Sequence, residues 1–151
     1  MPRDDLQIRP LEPGDRAAWA ALWTAYLAFY ETELPPEVHD ATFARLTDPA
    51  EPQMQGLLAL AGGTPVGLVH YIFHKDCWSV RDCCYLQDLY ADPAVRGTGV
   101  GRALIEAVYA AADAAGAPDV YWMTQEFNAT ARTLYDRIGR LTPFIQYQRP
   151  A

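Results

Sequence analysis

Apolar residues recur along the chain with two different periods, and each period predicts a different kind of secondary structure. From about Pro13 to Tyr30 the large apolar side chains follow helical spacing and form one stripe: Trp19, Leu22, Trp23, Tyr26, Leu27 and Tyr30. This stripe predicts a helix with one face buried against a sheet. Prolines at 35 and 36 end it, and a second short helix is expected over Glu37 to Leu46.

Shorter segments rich in β-branched and aliphatic residues predict strands, with tight turns between several of them. The expected strands are Leu6 to Arg9, Gln55 to Ala61, Val66 to His74, Cys84 to Ala91, Val120 to Thr124 and Phe144 to Gln148. Two later helices are expected, one over Val100 to Ala115 and one that begins after Asn128 and ends at Gly139. The order of elements predicts an α/β protein with a mixed sheet (α+β in character) that begins as an antiparallel meander.

A glycine-rich loop lies between a predicted strand and a predicted helix, over Val95 to Arg102. Small residues there let backbone N–H groups approach a ligand, and the helix adds its positive dipole end, so the loop suits a phosphate or pyrophosphate. Arg102-Ala103 stands where a P-loop needs Lys and Ser or Thr, and the glycine spacing also differs from a dinucleotide fingerprint. A glycine-rich turn without a ligand is the alternative.

Composition narrows the class of protein. With 151 residues, half of them hydrophobic, the chain is expected to form one domain over residues 1–151 with its own core. Neither a membrane-spanning segment nor a secretory signal is expected, which favours the cytoplasm. The three cysteines, Cys77, Cys83 and Cys84, lack the spacing of a zinc site and are expected to be reduced.

The net charge of −7 disfavours nucleic acid as a partner, since a nucleic-acid-binding face is normally basic. Cationic small molecules or basic peptides fit this charge better. Solubility alone is an equally good explanation of an acidic chain.

Two segments resemble the signatures of a known family. Leu89-Tyr90-Ala91-Asp92-Pro93 followed by Arg96-Gly97-Thr98-Gly99-Val100-Gly101 resembles the acetyl-coenzyme A motif of the GNAT superfamily of N-acetyltransferases, and Asn128 to Tyr135 resembles its second signature. The segments Tyr85 to Tyr90 and Val120 to Trp122 are similar to the branch of histone and polyamine acetyltransferases. The resemblance implies a GNAT-like fold with a central, mostly antiparallel sheet, helices on both faces and one splayed strand pair.

The resemblance also implies which residues bind acetyl-coenzyme A (acetyl-CoA). Backbone amides of the glycine loop would hold the pyrophosphate, and main-chain groups of Leu89 and Ala91 would bind the pantetheine arm at the opening between the splayed strands. The full expected set is Leu89, Tyr90, Ala91, Arg96, Gly97, Thr98, Gly99, Val100, Gly101, Arg102, Asn128, Ala131 and Tyr135.

In the family, the tyrosine at the position of Tyr135 protonates the departing thiolate, which suits a phenol whose ordinary pKa of about 10 exceeds that of a thiol. The general base is open, because Gln87 stands where the related polyamine enzymes carry glutamate. Asp88 is the expected catalytic carboxylate, directly or through water, with Glu126 or a histidine, His70 or His74, as alternatives. Glu31, Glu33, Gln87 and Asp88 are the expected residues for binding the acceptor.

These observations predict an enzyme that transfers the acetyl group of acetyl-CoA to a primary amine of a polyamine, another small molecule or a lysine side chain, in a ternary complex and without a metal. The resembling branch forms dimers, so a homodimer is expected. A protein that binds acyl-CoA as a sensor or interaction module, without turnover, is the alternative.

Overall fold

The computed structural model describes residues 3–151, which contain five strands and four α-helices. The elements are β1 (Leu6–Pro10), α1 (Arg16–Phe29), α2 (Pro36–Leu46), β2 (Met54–Ala61), β3 (Thr64–His74), β4 (Cys83–Ala91), α3 (Val100–Ala114), β5 (Asp119–Tyr121) and α4 (Ala129–Ile138). The sequence periods therefore predicted all four helices and the first four strands within a few residues.

The five strands form one sheet in the order β1-β2-β3-β4-β5. Neighbouring strands from β1 to β4 are antiparallel, whereas β5 pairs in parallel with β4. The expected meander is confirmed, and the parallel step follows because α3 carries the chain back across the sheet before β5 begins.

Helices cover both faces of the sheet, so the strands alternate between two apolar cores. Leu58, Leu60 and Leu68 face α1 and α2, where they pack with Trp19 and Phe43. The intervening residues face α3, where Leu104, Ile105 and Val108 are fully buried: Leu57, Ala59, Val69, Cys84 and Leu86. Burying both faces explains why β2 and β3 read as nearly continuous apolar runs.

The prediction of a last strand over Phe144 to Gln148 is wrong. Residues 140–151 adopt no regular secondary structure, and the side chains of Leu141, Phe144, Ile145 and Tyr147 are 74–90% exposed. The strand expected over Val120 to Thr124 is also shorter and one residue earlier, at Asp119–Tyr121. A strand needs a partner for its backbone groups, and no strand of the described chain pairs with residues 144–148.

None of the described helices is both long and apolar enough to cross a lipid bilayer.

Candidate active site

The central feature of the site is the divergence of β4 from β5. The two strands pair only from Cys83 with Asp119 to Tyr85 with Tyr121. Beyond that point, the β4 segment 86–91 has no partner strand on this side within the described chain. The predicted splayed pair is confirmed, and it exposes main-chain groups of β4 that a ligand amide can satisfy.

The glycine loop lies at the end of this open edge and leads directly into α3. Gly97 and Gly99 have φ angles of 80° and 87°, which L side chains rarely adopt, so glycine is required for the loop's path. Within residues 3–151, five amides at the loop and the first turn of α3 donate to no backbone or side-chain acceptor: Gly97, Gly99, Val100, Gly101 and Arg102. Such a set of free N–H groups at a helix N-terminus suits an anion.

Two arginines flank the loop and differ in their contacts. Arg102 binds Glu106 one helical turn away, with 2.8 Å between Nε and Oε1, so its guanidinium is partly neutralised. Arg96 is exposed and has no acidic partner among the residues described. Burial raises the pKa of nearby Tyr90, and the positive charge of Arg96 has a smaller, opposite effect on it. Arg96 is therefore the better placed of the two to meet an anion.

A cleft opens where β4 and β5 separate, and it is lined by residues from β4, α4, the C-terminal end of α1 and the segment after β5. They are Tyr26, Tyr30, Leu86, Gln87, Leu89, Trp122, Met123, Thr124 and Tyr135. The spacing along α1 predicts core positions for Tyr26 and Tyr30, and no sequence pattern predicts a role for Trp122 in the site. Tyrosine has an apolar ring and a polar hydroxyl, so its position at the end of the apolar stripe was the sequence signal that Tyr26 and Tyr30 could line a site.

Tyr135 of α4 is well placed in this cleft, with its ring packed edge-on against Trp122 at 5.5 Å between centroids. Burial, and to a smaller extent Tyr30, raises the pKa of Tyr135 above its ordinary value, so the hydroxyl keeps its proton at neutral pH. Asn128 fixes the start of α4, because its side chain accepts from the Ala131 amide at 3.4 Å. That cap confirms the predicted helix start, and it occupies the Ala131 amide.

The β3–β4 register shifts at Gln87, and Asp88 therefore faces the α1 side of the sheet and not the α3 side, where Leu86 lies. His70 pairs with Asp88 and Tyr71 with Leu86, which leaves Gln87 as the extra residue of a β-bulge. The Gln87 side chain is exposed and lines the cleft. Asp88 turns toward the α1 side, where its Oδ2 lies 3.0 Å from Nδ1 of His70.

The structure does not draw the other candidate side chains into this arrangement. Glu31 and Glu33 are exposed in the connection between α1 and α2, next to Tyr30 in the chain. His74 binds the Tyr121 hydroxyl through Nε2 at 2.7 Å, away from His70, and Glu126 is exposed. In the described part of the chain, no three His, Cys, Asp or Glu side chains gather closely enough to bind a metal ion.

A free-amide loop at a helix N-terminus, an unpaired strand edge and a cleft with a protonated tyrosine define a class of protein that binds an acyl carrier. Comparisons with known proteins agree. The sequence profile of the acetyltransferase (GNAT) family matches residues 18–139. D-amino-acid N-acetyltransferase HPA3 of Saccharomyces cerevisiae is 40% identical over 99% of this chain and 93% of its own length.

Two further comparisons are more distant. Thialysine N-epsilon-acetyltransferase of Bos taurus is 31% identical over 69% of this chain and 56% of its own length. The solved structure of the aminoglycoside acetyltransferase AAC(6')-Iy in complex with a CoA bisubstrate analogue superposes with a TM-score of 0.84 at 17% identity, over 97% of this chain and 98% of that one.

The chain belongs to the GNAT family of acetyltransferases. It is an acetyl-CoA-dependent N-acetyltransferase, as the resemblance in the sequence implied.

Proposed function

We propose that the protein transfers the acetyl group of acetyl-CoA to the primary amine of a small molecule, by direct attack of the amine while both substrates are bound. One observation carries the proposal: the open edge of β4 connects a loop of free amides to a cleft that holds Tyr135 and Gln87, with Asp88 behind Tyr26.

The donor side of the proposal rests on backbone groups. The amides from Gly97 to Gly101 that lack acceptors would hold the pyrophosphate of acetyl-CoA, assisted by Arg96. Main-chain groups of Leu89 and Ala91 on the unpaired edge would bind the amides of the pantetheine arm. Acetyl-CoA, when bound, supplies an acetyl group activated as a thioester.

The acceptor side of the proposal rests on aromatic and acidic groups. Tyr26, Tyr30 and Tyr135 give the cleft polar hydroxyls and ring faces, which suit an organic ammonium group. Asp88 supplies a negative charge close to the Tyr26 hydroxyl, where burial and then that charge raise the pKa of Tyr26. The similar proteins are acetyltransferases of small amines, namely D-amino acids, thialysine and aminoglycosides, and we extend that substrate class to this chain.

Two protons must leave the nitrogen of an ammonium substrate as the C–N bond forms and the C–S bond breaks. We assign one to Asp88, directly or through water, which passes it to solvent, because Gln87 cannot accept a proton. The other replaces the proton that Tyr135 donates to the leaving sulphur, so that the phenol is protonated again at the end of the reaction. A phenol is in the donor form at neutral pH, and burial raises the pKa of Tyr135 further above its ordinary value.

The test is to incubate the purified protein with acetyl-CoA and a panel of amines while measuring the release of free thiol. The panel contains D-amino acids, thialysine, a polyamine, an aminoglycoside and a lysine-containing peptide. We expect saturable thiol release with at least one small amine and less with the peptide. Release no faster than the hydrolysis of acetyl-CoA alone, for every amine, would contradict the proposal.

The alternative expectation, a sensor that binds acetyl-CoA without turnover, is not supported by the family assignment, since the chain belongs to a family of acetyltransferases. A sensor binds acetyl-CoA with measurable heat but releases no thiol with any amine. The same panel, run beside calorimetry, therefore separates the two functions.

We also propose that the protein is a homodimer in which residues 140–151 of each copy lie along the β5 edge of the other. Their four large apolar side chains, Leu141, Phe144, Ile145 and Tyr147, are mostly exposed, and the outer edge of β5 has no partner strand within the described chain. The segment carries Arg140 and Arg149 and no acidic residue, whereas the whole chain has a net charge of −7. Extended apolar segments and open sheet edges commonly pair between copies.

Light scattering after gel filtration tests this arrangement. We expect the mass of a dimer for the full chain and of a monomer for the double variant Phe144→Asp, Ile145→Asp. A full chain that is monomeric at concentrations well above those of the assay would refute the dimer. Retention of the dimer by the double variant would refute the proposed interface.

A further inference from the structure

A chain of hydrogen bonds crosses from α1 through β3 to β4 beneath the cleft. Nε1 of Trp19 donates to Nε2 of His70 at 3.0 Å, and Nδ1 of His70 lies 3.0 Å from Oδ2 of Asp88. Trp19 and His70 are almost completely buried, at 0% and 4% exposure, and the Asp88 side chain is 13% exposed. Three elements distant in sequence are therefore joined by one chain of hydrogen bonds that ends at this carboxylate.

The geometry fixes where the imidazole carries its proton. An indole nitrogen can only donate, so Nε2 of His70 must accept and has no hydrogen of its own. The proton of the neutral ring is then on Nδ1, and it is donated to Asp88. The opposite tautomer would place two N–H groups against each other at Nε2 and a lone pair against the carboxylate.

The groups that face this network leave the carboxylate without a cationic side-chain partner. Tyr26 approaches Asp88 from α1, and Tyr90, on β4 itself, packs edge-on against Tyr26. Arg16 lies over the Trp19 ring but pairs with Asp40, and His39 of α2 contacts the edge of the same ring. Among the described residues, the only basic side chain within 4 Å of the Asp88 carboxylate is the neutral ring of His70.

We propose that Trp19 and His70 are positioning residues for Asp88: the indole holds the imidazole in the Nδ1–H tautomer, and the imidazole holds the carboxylate as a proton acceptor next to Tyr26. The proposal rests on the function proposed above. Its consequence for the reaction is that His70 holds one oxygen of Asp88 while the carboxylate lies beside the hydroxyl of Tyr26, which lines the cleft. The ammonium proton passes to this carboxylate and then to solvent, and no other bond changes at Trp19 or His70.

The first test does not depend on activity. Nitrogen-15 NMR of the imidazole rings reports the tautomer of each neutral histidine, and the His70 signals are assigned by their loss in His70→Asn. We expect the Nδ1–H tautomer for His70 at pH 8. The Nε2–H tautomer would overturn the proposal whether or not the protein is an enzyme.

The second test uses two tryptophans that stack on each other, with 6.0 Å between ring centroids. Trp19→Phe removes the donor to His70, whereas Trp23→Phe removes a buried N–H that has no partner among the described residues. Both changes delete the same atoms from the same core. We expect Trp19→Phe to lower kcat about tenfold, with the KM for acetyl-CoA within about twofold, and Trp23→Phe to keep kcat within about twofold. Equal effects of the two variants on kcat would overturn the proposal.

A pair of variants at His70 keeps the test decisive if Trp19→Phe does not fold. Asn can donate to Asp88 from nearly the position of Nδ1, and Leu has a similar size but no donor. We expect His70→Asn to retain at least about ten times the kcat of His70→Leu, at temperatures where both are folded by circular dichroism. Equal kcat values would show that the imidazole is only a packing group. If the wild-type protein acetylates no amine, the proposed function fails, and the tautomer measurement still decides the positioning claim.

Discussion

Tyr85 and Tyr121 form the last residue pair that joins β4 to β5, and their rings stack at 5.0 Å between centroids with only 15° between their planes. The strands separate immediately beyond this pair, so the stack marks the point from which the cleft opens. The Tyr121 hydroxyl is also bound to His74 of β3, which ties the short β5 to the body of the sheet.

Loss of this stack should weaken the pairing of β4 with β5 at the point where the cleft begins. We expect Tyr121→Ala to raise the KM for acetyl-CoA about fivefold, because an aromatic pair contributes about 1 kcal/mol and the strand edge that binds the carrier depends on it. Tyr121→Phe keeps the stack and loses only the contact with His74, so its KM should stay within about twofold. Steady-state kinetics at saturating amine measures both, and an unchanged KM in Tyr121→Ala would contradict the account.

Gly97 should matter for affinity as well as for stability. Gly97 and Gly116 have φ angles of 80° and 72°, and a Cβ at either meets no atom within 4 Å, so alanine brings the same backbone strain to both. That strain costs about 1–2 kcal/mol. We expect both variants to lose similar stability on heating, and only Gly97→Ala to weaken acetyl-CoA binding, by about tenfold in calorimetry. Equal affinities would place the carrier elsewhere.

Tyr135 should affect the chemical step and not binding. We expect Tyr135→Phe to reduce kcat by about a hundredfold or more, which is the usual contribution of a general acid, and to change the Kd for acetyl-CoA by no more than about twofold. Pre-steady-state mixing with a saturating amine isolates the step. A variant with wild-type kcat would exclude the phenol as the proton donor.

Cys84 should reduce the stability of the fold at high pH. Burial raises the pKa of its thiol to about 11 from an ordinary 9.0, so the folded state keeps a proton that the unfolded state loses between those values. The unfolded state then binds fewer protons, and the free energy of unfolding falls as pH rises from 9 to 11, by about 2 kcal/mol from this group. Urea unfolding at pH 8 and 10.5 measures the difference, and Cys84→Ala should show a smaller loss. The same loss in the variant would exclude Cys84 as the cause.

The sequence was sufficient for the elements whose pattern is local. The stripe of α1, the start of α4 at Asn128 and the meander up to β4 all follow from spacing, caps and turns within the segment concerned. The glycine loop was predicted for the same reason, because the φ angles of Gly97 and Gly99 are a local requirement.

Other features depend on partners distant in sequence, and the pattern did not predict them. Phe144 to Gln148 alternates like a strand, but the described chain offers it no neighbouring strand, so it remains without regular structure. His70 was one of several possible bases until its two nitrogens were seen to be bound by Trp19 and Asp88, 51 and 18 residues away. No local periodicity carries that information.

The central claim is that the cleft between β4 and β5 transfers an acetyl group from acetyl-CoA to a small primary amine, with Asp88 and Tyr135 moving the protons. Mass spectrometry of the amine, after incubation with acetyl-CoA and the wild-type protein or Asp88→Asn, tests it most directly. The account predicts an amine heavier by one acetyl group with the wild-type protein and at least about a hundredfold less product with Asp88→Asn. No acetylated amine with the wild-type protein, or equal product from the two proteins, would contradict it.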